Sequence, residues 1–206
     1  MSGHGTGGGE RGDTRDDLTA AMRRTHFIAA LHAAKDAADR DLTGLVLCLL
    51  DVDQLRNVND RHGQAAGDAA LRALASRAAE VLALPRWRAL ESMVARFDGD
   101  SLLLMLCGAK LADGERFAEE VRRCVAAGPF AADLKITVAI AVTAYRSGES
   151  VDALLARTEK TLYLAKQFGG DCVETAWTPE TRGVAAGVTS LAEAGSQPLF
   201  SLHRAR

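Results

Sequence analysis

Asp51 and Asp53 close one apolar run, and Asp98 and Asp100 open another, so two acidic clusters stand at the ends of segments that read as strands. Carboxylates gathered at a sheet edge hold hard divalent cations through oxygen, and Mg2+ held this way keeps waters and takes substrate phosphates. Such a site supports attack of a hydroxyl on a nucleotide α-phosphate, the metal stabilising charge on the transferring group. Each cluster also has a plainer reading. Asp98-Gly99 between β-prone runs signals a type I′ hairpin turn, and Asp51 alone suits a solvated strand end. Chemistry requires Asp51 and Asp100 to approach each other, so the two runs must be neighbours in one sheet. An EF-hand reading of "DVDQLRNVND" fails, because Arg56 occupies the position that needs glycine.

The elements that would position these carboxylates are legible from periodicity. "DDLTAAMRRTHFIAALHAAKDAADR" predicts a helix from about 16 to 40. "GLVLCLLDVD" is a continuous apolar run, as a strand buried on both faces requires, with Asp51 at its C-terminal edge. In "GDAALRALASRAAEVLAL", Leu71, Leu74, Ala75, Ala78, Val81 and Leu82 share one helical face. "SMVARFDGDSLLLMLC" predicts two short strands around a turn. A helix near 112–127 aligns Phe117, Val121 and Cys124, and "LKITVAIAV" is a further buried strand. "SVDALLARTEKTLYLAKQFGG" begins at a serine N-cap and ends in glycine. The order α-β-α-ββ-α-β-α makes an α/β sandwich, helices packed on a central sheet.

Bulk properties narrow the function classes. With 206 residues, 48% hydrophobic and 25% charged, the chain supports one domain with a full core. A net charge of −2 offers no field for nucleic acid or an anionic membrane. Cys48, Cys107, Cys124 and Cys172 lie apart without CxxC spacing, which argues against a structural zinc site and suits reduced thiols in a cytoplasm. No run approaches the roughly 20 apolar residues of a membrane span. Residues 1–14 read as a Gly-rich disordered tail, 15–175 as the folded domain, and 176–206 as a loosely attached tail. The N-terminal GxGxxG match at Gly3, Gly5 and Gly8 follows no strand and is dismissed.

Four ordered segments together resemble the GGDEF domain family, the diguanylate cyclases that join two GTP molecules into cyclic di-GMP. The resemblance runs from about Asp17 to Val173. "DLTAAMRRTHF" is similar to DxLTGLxNRxxF, keeping Leu18, Thr19, Arg24 and Phe27. "DVDQLRNVNDRHGQAAGD" resembles DxDxFKxxNDxxGHxxGD, with Asp51, Asp53, Asn59, Asp60, Gly63, Gly67 and Asp68 in place. "RFDGDSLLLML" stands where RYGGDEF should be, and "RTEKTLYLAKQFGG" resembles ADxALYxAKxxGR.

The resemblance implies a nucleotidyl-cyclase-like, palm-type α/β sandwich. It implies Asp51 as a metal ligand, Asp100 as the acidic residue of metal and catalysis, and Asn59 with Asp68 on the guanine edge. Arg56 and Lys166 would meet the triphosphate, and Gly99 would let backbone lie close to the nucleotide. Mg2+ or Mn2+ would accompany bound nucleotide. GTP, cyclic di-GMP, other cyclic di-GMP signalling proteins and a second copy of the chain are the implied partners. Active members work as dimers, usually assembled by an N-terminal sensory domain, where this sequence begins with a short Gly-rich tail.

The departures are as informative. Asp98 replaces the first glycine, Ser101 the glutamate and Leu102 the phenylalanine, and Gly170 stands where the family often has a phosphate-binding arginine. The family's inhibitory product site needs RxxD, and those positions are Ala89 and Ser92; Arg88 and Glu91, one residue out of place, read as a surface pair. Ser101 leaves a neutral oxygen where a charged ligand belongs. Asp98, if turned inward, puts charge beside the nucleotide. A unit charge about 4 Å from a phosphate oxygen costs roughly 4 kcal/mol at an effective dielectric of about 20. At roughly 1.4 kcal/mol per tenfold, that is about a thousandfold in affinity. Three readings follow: a degenerate GGDEF module with little or no cyclase activity, a genuine cyclase tolerating DGDSL, or a protein scaffold without nucleotide.

Overall fold

The computed structural model describes residues 14–131 and 134–176. Its elements are β1 (Met22–Arg23), α1 (Arg24–Asp41), β2 (Leu45–Val52), α2 (Leu55–His62), α3 (Gln64–Leu82), β3 (Ser92–Arg96), β4 (Ser101–Cys107), α4 (Leu111–Ala127), β5 (Val138–Ala144), α5 (Val151–Gln167) and β6 (Val173–Thr175). The six strands form one mixed sheet in the order β1-β3-β4-β2-β5-β6. Strands β3, β4, β2 and β5 pair antiparallel in turn, while β1 and β6 add parallel edges on β3 and β5. The expected α/β sandwich is therefore present.

Helices cover both faces, which is why the central strands carry unbroken apolar runs. Val46, Cys48 and Leu50 of β2 and Leu102, Leu104 and Leu106 of β4 face α3 and α4, whose Leu74, Phe117 and Val121 are fully buried. Leu45, Leu47 and Leu49, with Leu103 and Met105, face α1 and α5 through Phe27, Leu31 and Leu154. Alternation along β2 then puts Asp51 on the α5 side.

Several expectations need correction. The helix expected from about residue 16 starts at Arg24. Asp16 instead closes a turn, its Oδ1 accepting from the backbone of Leu18 and Thr19 and from the Thr19 hydroxyl, and Ala20 takes a left-handed φ of 57°. Local Asp bonding of this kind competes directly with a helix. The short helix α2, and the edge strands β1 and β6, were not anticipated. Asp98-Gly99 is not a type I′ turn, since neither residue has positive φ. Asp98, Gly99 and Asp100 form a three-residue loop closed by the Phe97 amide donating to the Ser101 carbonyl at 3.0 Å. The tails expected at 1–14 and 176–206 lie outside the described residues apart from Thr14 and Ala176. Among the described residues, no helix is long and apolar enough to cross a membrane.

Candidate nucleotide site

β2 and β4 are hydrogen-bonded neighbours, and their register sets Asp51 directly opposite Ser101. Both therefore project from the same face, beneath α5. Lys166 descends from the last turn of α5, the helix that buries Leu162 and Ala165. Its Nζ lies 2.7 Å from Asp51 Oδ1 and 2.8 Å from Asp53 Oδ1. The same ammonium donates to the backbone carbonyls of Asp51 and Val52, each at 3.0 Å. Burial pushes the Asp51 carboxyl above its ordinary value; Lys166 opposes this, and the charges of Asp100 and Asp53 reinforce it. Asp100, one residue before Ser101, thus acts electrostatically on Asp51.

Asp53 is already fully engaged. Its Oδ2 accepts from the Thr137 hydroxyl and the Asp171 amide, both at 2.7 Å. The turn after α5 comes so near that a Cβ on Gly170 would lie 2.4 Å from Asp53 Oδ1, and Gly170 itself has φ +76°. No side chain fits there in this arrangement, arginine included.

A groove of about 400 Å3 runs beside this cluster, walled by Arg56, Asn59, Gln64, Gly67, Arg96, Gly99 and Asp100. Asn59 lies on α2 and Gly67 on the first turns of α3, the two helices parting at Gly63. The Asn59 amide is seated against Gly67 so closely that a Cβ there would come within 1.9 Å of its Oδ1. That Oδ1 is buried without a hydrogen-bond partner. Arg56 is almost fully exposed. Asp68 does not wall the groove, but its Oδ1 accepts from Gln64, which does. Leu102 is a core residue on the α3 side, with no part in the site.

The loop carboxylate Asp98 is turned away from the groove. Its Oδ1 accepts from Arg24 Nη1 at 2.8 Å, in a separate surface hollow shared with Asp16 and Arg23. Arg24 also lies over the Phe97 ring, 4.2 Å from its centroid. The inward repulsion considered from sequence therefore does not arise, because an opposite charge on α1 takes the carboxylate. Arg96, another residue sequence reasoning passed over, holds the loop from within by donating to the Gly99 carbonyl at 2.6 Å while reaching Asp16. Complementary charges at 16, 24, 96 and 98 were visible, but nothing local linked them. No ion pair joins Arg88 to Glu91 among the described residues.

The site residues thus divide into a groove and a charge cluster that meet at Asp100. A family described as "Diguanylate cyclase, GGDEF domain" matches residues 13–172. This chain belongs to the GGDEF domain family. Diguanylate cyclase DgcP of Pseudomonas aeruginosa is 31% identical over 164 residues, covering 78% of this chain and 24% of that protein. Response regulator PleD of Caulobacter vibrioides is 29% identical, covering 77% of this chain and 35% of that protein. The chain therefore spans about a quarter to a third of these curated relatives. The GGDEF domain of DgcB from Caulobacter crescentus, solved in complex with c-di-GMP, superposes with a TM-score of 0.73 at 27% identity, covering 81% of this chain and 97% of that one. Diguanylate cyclase SiaD of Pseudomonas aeruginosa, solved with its activator SiaC, also gives 0.73 at 28% identity, covering 80% of this chain and 62% of that one.

GGDEF cyclases generally use Mg2+ or Mn2+. The donor set of this GGDEF domain does not fit that ion as it stands. Among the described residues, no three His, Cys, Asp or Glu side chains are gathered as a metal would need. Asp53 is committed to hydrogen bonds, Ser101 is neutral, and the point where Asp51 converges with two carbonyls is filled by the Lys166 ammonium.

Proposed function

We propose that this GGDEF domain is a guanine-nucleotide-binding module of cyclic di-GMP signalling with little or no cyclase turnover. The Asn59 amide carries the reading. It stands in the wall of a groove large enough for a nucleobase, fitted to a glycine that leaves it room, with a buried oxygen lacking a partner. That oxygen is turned onto Gly67 and closed to the groove, so the amide N–H2 is the edge left for a base, and guanine offers carbonyl and ring-nitrogen acceptors to it. Asn59 and Asp68 would read the base, Gly99 and Asp100 would border the sugar and phosphates, and Arg56 and Lys166 would meet the phosphate charge. Low turnover follows from Ser101, which removes an anionic ligand beside Asp51, and from Lys166, which already occupies the oxygens Asp51 presents.

The second reading, an active cyclase, draws support from the Arg24–Asp98 pair, which keeps the unusual loop charge off the nucleotide, and from Asp100 in the groove wall. Cyclic di-GMP, protein partners and a second copy of the chain belong to the same proposal; DgcB was solved with c-di-GMP and SiaD with an activator. The deciding experiment incubates purified protein with GTP and Mg2+ or Mn2+, separates the products, and measures nucleotide binding by calorimetry in parallel. Binding without product supports the module. Product that vanishes in Asp100→Ala establishes the cyclase. No binding and no product would leave only a protein scaffold.

A further inference from the structure

We propose that Lys166 is the resident cation of this site, so that guanine nucleotide binds here without a divalent metal. The inference rests on the nucleotide-binding reading above. Four oxygens converge on one Nζ: Asp51 Oδ1, the carbonyls of Asp51 and Val52, and Asp53 Oδ1, all between 2.7 and 3.0 Å. Carboxylate plus carbonyl oxygens are the set a hard cation takes. An ammonium has only three protons to give, so these four acceptors hold it as a compact point charge held by a cage of oxygens.

Two features keep the lysine there. Leu162 and Ala165 are buried on the same helix, so α5 cannot withdraw Lys166 without unpacking that layer of the core. Asp53 cannot swing toward a metal, because Thr137 and the Asp171 amide hold its second oxygen. Ser101 completes the argument. It stands opposite Asp51 on the same sheet face, where a further carboxylate would let a divalent ion outcompete a monovalent one. With that charge absent, Lys166 answers Asp51 and Asp53 alone on this face, and no carboxylate at position 101 adds to the pull on a divalent ion. About a quarter of the Lys166 side chain remains exposed, which leaves its charge open to an arriving phosphate oxygen.

The test is calorimetric titration of GTP into the full chain in EDTA and again in excess Mg2+, with Mg2+ and Mn2+ alone titrated into nucleotide-free protein. The expected dissociation constants agree to within about threefold, well under the tenfold that a lost charged contact produces, and the metals alone give no saturable heat. Binding about tenfold or more weaker in EDTA overturns the resident-cation inference while leaving the nucleotide-binding reading intact. No binding in either buffer overturns both. In Ser101→Glu, Mg2+ should strengthen GTP binding by about tenfold. If that variant, shown folded by circular dichroism, binds equally in both buffers, the missing carboxylate is not what excludes the metal and the inference falls.

Discussion

Arg24 and Asp98, 74 positions apart, meet at 2.8 Å, and this pair decides which way the altered loop directs its charge. Both side chains are about half exposed. Solvent screening therefore keeps the pair's contribution to stability below about 1 kcal/mol. Its effect is positional: the carboxylate lies over α1 and leaves the groove to Gly99 and Asp100.

Arg24→Ala should consequently leave the melting temperature nearly unchanged while weakening GTP binding several-fold, because the freed Asp98 can turn toward the phosphates. Adding Asp98→Gly should restore the affinity. Calorimetry on the two single variants and the double variant checks this, and equal affinities across all of them would show that the pair has no such role.

The two altered signature positions should not contribute equally. With Asp98 already held by Arg24, Asp98→Gly alone is expected to change neither GTP binding nor product formation appreciably. Ser101→Glu alone should account for most of any cyclase activity gained when Asp98→Gly and Ser101→Glu are combined. Product separation after incubation with GTP and Mg2+ reads this directly; a gain confined to Asp98→Gly would reverse the assignment.

Gly67→Ala should damage base recognition out of proportion to its size. The added methyl would overlap Asn59 Oδ1, so the amide must leave its seat. Overpacking of this kind costs about 1–3 kcal/mol of stability. Discrimination between GTP and ATP should fall together with the urea midpoint, both measured on the same preparation.

A separate prediction concerns pH. Asp39 ties the end of α1 to the loop after β5, accepting from Tyr145, Lys35 and Ser147. Those bonds, the Tyr145 hydroxyl first, lower its carboxyl from 3.8 to about 2. A depressed carboxylate contributes stability above its unfolded value and loses it as pH falls through its folded one. Asp39→Asn should thus be less stable than the parent at neutral pH, with the gap closing between 3.8 and about 2. Thermal melts of both proteins across that range test the sign; a gap that stays constant would assign the difference to packing.

Much of this domain was determined by local sequence. The apolar runs of β2, β4 and β5 identified double-sided burial, because a strand covered on both faces cannot alternate polar and apolar residues. The Ser150 N-cap was equally local, and its hydroxyl accepts from the Ala153 amide as a cap should. The acidic and glycine positions of the signature segments likewise required only one-dimensional spacing. Tertiary structure alone decided where the charges went. Asp98 finds Arg24, and Lys166 reaches 115 positions back to the end of β2. Asn59 settles on Gly67 only because α2 and α3 fold back on each other. Periodicity records which face a residue presents, since that repeats along the chain. Pairing of charges depends on distance through space, and only the completed sheet brings those ends together.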